Sequence, residues 1–523
     1  MQELNKSRLL LFPLIIGIAL IVYSWFLSCP LSINSLNDFV FNNISIFYWI
    51  GLPLTLAAMF IMAVTFKSHY SRWIIIVSIV VVIYSLSYFY YMLPGSDSHY
   101  FRGLNEYFIK TKDLNPTEKG HSYFQWPSFF LLNDIATSVT GLELMNFEFL
   151  LYTIIGFLIA TALYVYFSKA YRNGSFLAVA AFFVAMFYFL NYQCVPFSSA
   201  LGLLFLMLML ETRQKDFSAT LTMMVFYTGI SFMHAFVPLF FVLYLLIRCI
   251  LDRSKMYGRL FVLTLIIYLV VQITQAPYSF AQNIKSIFSL ETEYSKVVEA
   301  ALAPASVPID ILAQMFSRIV TITAIAMCLA GFMILLIKKK LGNLDKAIFI
   351  TGAAYTAVGS IFYLLGSRAI PIVFIPISLG AAYLLEGRFR KYIASLFLVL
   401  LVLFTFILLH SAFYDSQIMF QTKEAYQMEN FMIERYNWTI NRLILAHVRV
   451  ITYLRTKQPS VVNFENDVNS PLFPRINEYD SIVYTVGLGK NLLKYNYTTE
   501  RILHEEILNV VYHNGFSYIA EKS

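Results

Sequence analysis

The sequence predicts a polytopic α-helical membrane protein of about 13 transmembrane helices, followed by a small C-terminal α/β domain outside the membrane. Three observations carry this reading. Apolar runs of spanning length recur along a 523-residue chain that is 59% hydrophobic and 13% charged, with a mean hydropathy of +0.67. Lysine and arginine gather in alternate connections between those runs. Beyond residue 413 the pattern changes to short alternating segments mixed with polar residues.

Taken in order, the runs place spans at 9–28, 46–66, 73–93, 147–168, 175–192, 196–211, 217–233, 235–250, 260–277, 311–337, 347–365, 369–386 and 392–412. The first run is long enough to cross a bilayer and lacks a small-residue cleavage pattern, which predicts a retained signal anchor. One side receives Lys6/Arg8, Lys67/Arg72, Lys169/Arg172, Arg213/Lys215, the group Arg248 to Arg259, Lys338 to Lys346, and Arg388/Arg390/Lys391. The opposite short connections, 29–45, 193–195 and 234, carry none. By the positive-inside rule the N-terminus is cytoplasmic and the tail lies outside. The net charge of +8 is therefore a topology signal and not a polyanion groove, which argues against a nucleic-acid partner. Cys29, Cys194, Cys249 and Cys328 lie in or beside spans without metal-ligand spacing and read as small buried apolar residues.

This divides the chain into a membrane domain, 1–413, with outer loops 94–146 and 278–310, and an outer domain, 414–523. In the first loop, QWPSFFLLNDIATSVTGL is too short to span, and its Pro127 start and helical apolar spacing predict a helix lying in the interface. In the tail, 414–457 reads as helical, YDSIVYTVG as a strand, TTERILHEEILNVVYHNG as a capped helix and FSYIAE as a closing strand.

The polar candidates concentrate where the third span ends, in PGSDSHYFRGLNEYF at 94–108. Ionisable groups at a membrane exit are costly unless they have partners or a task. Pro94-Gly95 turns the chain, so the Asp97 carboxylate sits near headgroup depth, either as a catalytic acid or base or as the cap of a helix starting near Tyr100. His99, Arg102 and Glu106 follow as substrate contacts; Arg102 and Glu106 are also spaced to pair with each other on a helix. Glu118 and His121 lie further along the loop, and Tyr123, Phe124 and Trp126 can stack on sugars. His234, in SFMHAFVP, joins two spans on the outer side and reads either as a bridge between helices or as a headgroup contact. Arg368, in GSRAIPIVFIP, is an isolated outer-side cation, the type that binds a phosphate bidentately. Glu291 and Glu293 offer further acids in the second outer loop.

In the order of these features the chain resembles the GT-C superfamily of integral-membrane glycosyltransferases. The resemblance runs through an acid opening the first outer loop (SDSHYFRG), an aromatic-Pro-apolar helix (QWPSFFLLNDIATSVTGL), the short span VPFSSALGLLFLMLMLE, the joining histidine in MHAFVP, and SRAIPIVFIP, together covering most of 73–390. It implies a polyprenyl- or dolichyl-phosphate-linked sugar as donor, with a glycan, lipid or protein acceptor. It passes the essential-acid role to Asp97, as base or metal ligand, and phosphate binding to Arg368. The Asp-Asp or Asp-Glu pair common in other members is absent, because Ser96 and Ser98 flank Asp97, and this leaves a divalent metal as an open option. The WWDYG signature of oligosaccharyltransferases is also absent. A polysaccharide polymerase or ligase, a lipid-linked-sugar flippase and a non-catalytic scaffold are the alternatives. A flippase requires charges near the midplane of spans, which the sequence largely lacks.

Overall fold

The computed structural model describes residues 2–28, 44–65, 69–85, 96–114, 122–171, 174–186, 195–211, 217–277, 308–361 and 366–386, together with residues 392, 427, 444–445, 481–484, 508–513 and 518–522 of the last quarter. The helices are α1 (Gln2–Ser28), α2 (Ile46–Thr65), α3 (His69–Tyr84), α4 (Ser96–Thr111), α5 (Ser128–Thr140), α6 (Leu144–Ala170) and α7 (Ser175–Ala185). They continue as α8 (Pro196–Glu211), α9 (Phe217–Ser231), α10 (Val237–Asp252), α11 (Lys255–Gln275), α12 (Pro308–Ile337), α13 (Asn343–Ile361) and α14 (Gly366–Glu386). A short 3₁₀ turn, Ser122–Gln125, precedes α5.

Twelve of the thirteen expected spans overlap one of these helices, those at 73–93, 175–192 and 347–365 only in part because 86–93, 187–192 and 362–365 lie outside the described residues, as does almost all of the thirteenth, 392–412. Among the described residues three helical stretches, Leu144–Ala170, Lys255–Gln275 and Ile319–Ile337, are long and apolar enough to cross a membrane by themselves. Others, such as Pro196–Glu211 and Phe217–Ser231, are apolar but shorter. The chain is a bundle because helices that are apolar all round satisfy their own backbone and bury one face on one another while leaving the other to lipid. Leu221, Val225, Val262, Ile266 and Ile273 are exposed on α9 and α11, whereas all eleven residues of α7 are buried.

Small residues let backbones approach where lipid offers no hydrophobic drive. A Cβ on Gly331 of α12 would stand 2.1 Å from the carbonyl oxygen of Gly380 of α14, so that crossing accepts no side chain. α1 and α2 close on each other in the same way, with Gly17 against Thr55 and Gly51 against the Gly17 carbonyl. α14 also packs on α7 and α13, and α6 touches α3, α7 and α8, so α6 and α14 organise the centre of the bundle.

The helix expected after Pro127 forms as α5, capped at its C-terminus by Gly141 in the left-handed region (φ 70°). It buries Phe129, Phe130 and Asn133 and exposes Ile135 and Val139, an apolar outer face suited to lying at a bilayer surface.

In the tail, four strands form one sheet: β1 (Ile444–Leu445), β2 (Ser481–Tyr484), β3 (Leu508–His513) and β4 (Tyr518–Lys522), in the order β1-β2-β4-β3. β1 runs parallel to β2, and β4 pairs antiparallel with both β2 and β3. The strands expected in YDSIVYTVG and FSYIAE are β2 and β4. The helix expected over TTERILHEEILNVVYHNG is corrected in its second half, where Leu508–His513 is strand β3. The β-branched pair Val510-Val511 favours an extended chain, and pairing with β4 outweighs the helix-capping signal upstream. The helical reading of 414–457 is corrected at Ile444–Leu445, which pairs with β2 as strand β1; apart from β1 and residue 427 that stretch, like residues 498–507, lies outside the described residues.

Candidate functional site

The first outer loop folds into a helix that begins earlier than its sequence suggests. α4 starts at Ser96, which puts the backbone of Asp97 in its first turn. Asp97 is therefore inside this helix and does not precede one starting at Tyr100 as its cap. The Asp97 side chain lies outside the described residues.

From Ser98 onward α4 presents an unusually polar buried face. Ser98, His99, Arg102 and Asn105 are all buried, His99 completely. Arg102 Nε donates to Glu106 Oε1 at 3.1 Å, one turn along the same helix, which realises the i,i+4 pairing its sequence spacing allows. Arg102 Nη1 also donates to Glu148 Oε2 at 3.2 Å, and Asn105 Nδ2 donates to the other oxygen, Oε1, at 3.4 Å. Glu148 belongs to the second turn of α6 and is itself 4% exposed. One guanidinium therefore meets two carboxylates in a nearly dry setting, where ionic contacts are strong and unpaired charge is costly.

Aromatic contacts carry this helix toward a second element. Phe101 meets Tyr123 edge-on at 4.7 Å, and Tyr123 lies 6.4 Å from Trp126. Trp126 is buried with Ala235 and Ala276, with Tyr123 and Phe236 packed around them. The Ser128 amide donates to the Phe232 carbonyl at 3.1 Å, which ties the start of α5 to the α9–α10 turn. His234 occupies that turn, buried and 5.5 Å from the Phe197 ring. Its Nδ1 accepts the Phe236 amide at 3.1 Å, which in the neutral ring leaves the proton on Nε2. Tyr355 of α13 donates its hydroxyl to the Phe236 carbonyl at 2.9 Å and fixes the same turn from the other side.

The structure thus connects His99, Arg102 and Glu106 on α4 with Trp126 and His234 through one run of packed rings and backbone hydrogen bonds. Arg368 lies at the start of α14, and its side chain, like His121, Glu118, Glu291 and Glu293, falls outside the described residues. Glu148, Asn105 and Tyr355 were not singled out from the sequence. Glu148 and Tyr355 sit in apolar runs with no local motif, Asn105 carries no charge within the polar stretch 94–108, and the partner of each is far away in the chain.

A divalent metal needs converging acids or imidazoles. Among the described residues no three His, Cys, Asp or Glu side chains gather to hold one. The two carboxylates at Arg102, Glu106 and Glu148, both face its guanidinium, so this donor set does not fit a metal.

A second ionic network occupies the opposite end of α6. Tyr166 is eighteen residues beyond Glu148, roughly 27 Å along the helix. It donates to Asp345 of α13. Nearby, Arg248 binds Glu211 through Nε at 3.0 Å, Asp252 through Nη1 at 2.6 Å and the Tyr257 hydroxyl through Nη2 at 2.6 Å. Tyr257 also donates to Glu211 at 3.0 Å. Of the cysteines, Cys249 and Cys328 are described, and both are free thiols.

No protein-family profile matches the chain, and no curated protein matches it in sequence. Solved structures do match. The crystal structure of ArnT from Cupriavidus metallidurans bound to undecaprenyl phosphate aligns with a TM-score of 0.50 at 10% identity, covering 87% of this chain and 98% of that one. The apo state of the same protein aligns over the same shares with a TM-score of 0.49. At this identity the likeness is one of fold: the chain shares the fold of that undecaprenyl-phosphate-bound structure over most of its length.

Proposed function

We propose that this chain is a membrane glycosyltransferase that moves a sugar from a polyprenyl-phosphate-linked donor to a hydroxyl of a glycan, lipid or protein acceptor at the outer face of the membrane. One observation carries the reading. In a chain that shares the fold of the undecaprenyl-phosphate-bound ArnT structure, Asp97 opens a helix whose following turns hold the buried His99, Arg102 and Asn105 and the partly buried Glu106. Buried ionisable groups at the end of an apolar bundle are expensive and mark sites by default. The bound undecaprenyl phosphate of the ArnT structure supports a carrier of that class.

In the proposed reaction the Asp97 carboxylate takes the proton of the acceptor hydroxyl. The oxygen attacks the anomeric carbon, and the bond from that carbon to the phosphate oxygen breaks. The polyprenyl phosphate leaves with the bonding electrons, its charge met by Arg368. A direct displacement of this kind inverts the anomeric centre. In this reading His234, a donor through Nε2–H, and Trp126 serve as contacts for the headgroup and the sugar ring. His99 and His121 complete the proposed substrate set. The engagement of Arg102 by two carboxylates favours a framing role for it and Glu106 over direct substrate contact. The Lys/Arg alternation supports a multi-pass cell-membrane protein with a cytoplasmic N-terminus and an outer tail.

Asp97→Asn is the deciding variant. Assayed in membranes with radiolabelled polyprenyl-phosphate sugars, it is expected to lose at least about 1,000-fold in transfer while keeping its detergent-solubilised folding profile. Unchanged transfer would remove Asp97 as base and favour a polymerase or ligase working through arginines and histidines. Arg368→Ala is expected to weaken donor binding roughly 10-fold or more with acceptor binding unaltered; an unaltered donor affinity takes Arg368 out of the site.

A further inference from the structure

We propose that Glu148 is a positioning residue for transfer: by gripping Arg102 and Asn105 it fixes the rotation of α4 against α6, and with it the backbone turn that carries Asp97. The inference rests on the role proposed above for Asp97.

Four observations carry it. First, α4 is sixteen residues long, and a helix in a folded protein owes most of its stability to tertiary packing, so its placement depends on what it is tied to. Second, the two oxygens of one Glu148 carboxylate hold side chains three residues apart on α4, Arg102 at 3.2 Å and Asn105 at 3.4 Å. Two anchor points on one face restrain both sliding and rolling, whereas the edge-on ring contacts of Phe101 with Tyr123 and Phe129 fix the approach distance without fixing the roll. Third, Arg102 already has a carboxylate one turn away in Glu106 at 3.1 Å, so neutralising the guanidinium does not require a second acid from α6. A buried acid beyond that need costs stability, which points to a geometric role. Fourth, Arg102 is five residues beyond Asp97, about 7.5 Å along the helix axis, so a roll or shift at the joint passes directly to the first turn.

The test uses the full chain in lipid nanodiscs, with Glu148→Gln and Glu148→Asp assayed against a panel of undecaprenyl-phosphate sugars. Glu148→Gln is expected to lower kcat roughly 100-fold, the cost of an ångström-scale misplacement, with the donor KM held within about threefold. Glu148→Asp, which keeps the charge on a shorter stem, is expected to recover about 10-fold of that loss. A kcat within about twofold of wild type in Glu148→Gln overturns the proposal, as does a raised donor KM at unchanged kcat, which would make Glu148 a donor contact.

Hydrogen exchange provides a separate arm. The peptide covering 96–111 is expected to exchange faster in Glu148→Gln, while peptides of α10 and α11 keep their wild-type protection. If the wild-type chain transfers from no donor in the panel, the functional reading fails by itself and the exchange arm decides Glu148. Unchanged protection of 96–111 overturns the positioning role, and selective loss supports it.

Discussion

Toward each end of α6 an arginine, buried at Arg102 and partly buried at Arg248, meets two carboxylates, and the two clusters differ in what they join. Arg248 binds Glu211 of α8, Asp252 of its own helix and Tyr257 of α11, and Tyr257 closes the ring by donating to Glu211 as well. Asn343 extends the network to α13 through Asp252 at 2.7 Å. This end staples four helices, and the guanidinium lies 4.7 Å from the centre of the Tyr257 ring, so its face is covered too. Arg102, by contrast, joins one short helix to one long one through the Glu148 carboxylate. A closed network spread over several helices stabilises the bundle. A joint between a short helix and its neighbour sets an angle. The same chemistry thus serves the scaffold at one end and the candidate site at the other.

The contrast is most exposed to test at Glu211. Replacing it with alanine leaves Arg248 and Tyr257 without their shared acceptor in a site where Glu211 is 1% and Arg248 11% exposed. The expected cost is about 3–5 kcal/mol, read as a large drop in melting temperature of the detergent-solubilised protein. Transfer per folded molecule is expected to stay at the wild-type level. A fall in specific activity comparable with that of Glu148→Gln would show that the distal network also shapes the site, and the division of labour would break down.

The scaffold was far more legible in the sequence than the site, for a physical reason. A spanning helix announces itself through a continuous apolar run ended by charge or proline, and that signal is local. Hence 196–211 and 369–386 match α8 and α14 to within a few residues. The Arg102–Glu106 pair was legible for the same reason, since four residues make one helical turn. Glu148 was not: its partner is 46 residues away, and inside an apolar helix it carries no mark beyond its charge. The tail shows the opposite failure. Around Leu508–His513 the local capping pattern favours helix, and only the antiparallel partner Tyr518–Lys522, invisible to local reading, decides for strand. Its register shift between Val510 and Tyr512 is likewise a product of pairing.

A smaller effect sharpens the comparison on the site side. Tyr355→Phe removes the hydroxyl that donates to the Phe236 carbonyl and leaves the ring contact with Phe240 intact. The expected loss of stability is about 1 kcal/mol, the net worth of one hydrogen bond. Because that bond fixes the turn bearing His234, donor KM is expected to rise about threefold while kcat holds. A pure stability change with unaltered KM would take the turn out of donor recognition and leave it as a helix junction.

The smallest expected effect lies at Asp345, beside the distal network and at the start of α13. Burial raises its carboxyl above the ordinary carboxylate value, against the lowering influence of the Tyr166 hydroxyl, the Gly342 amide, Arg248 and Lys346. A carboxyl whose folded value is raised binds its proton more tightly folded than unfolded. Its contribution to stability is therefore present below the unfolded value and is lost as pH rises through the folded one. In the variant Asp345→Asn the side-chain amide does not titrate, but it keeps an oxygen to accept from Tyr166. The melting temperature of this variant relative to wild type is thus expected to be more favourable near pH 7 than near pH 4. A gap that moves the other way would mean that Arg248 and Lys346 hold the carboxylate ionised in the folded chain. The distal cluster would then store favourable charge pairing, as the Arg102 joint does, and the two ends of α6 would differ in the number of helices they tie and not in their electrostatics.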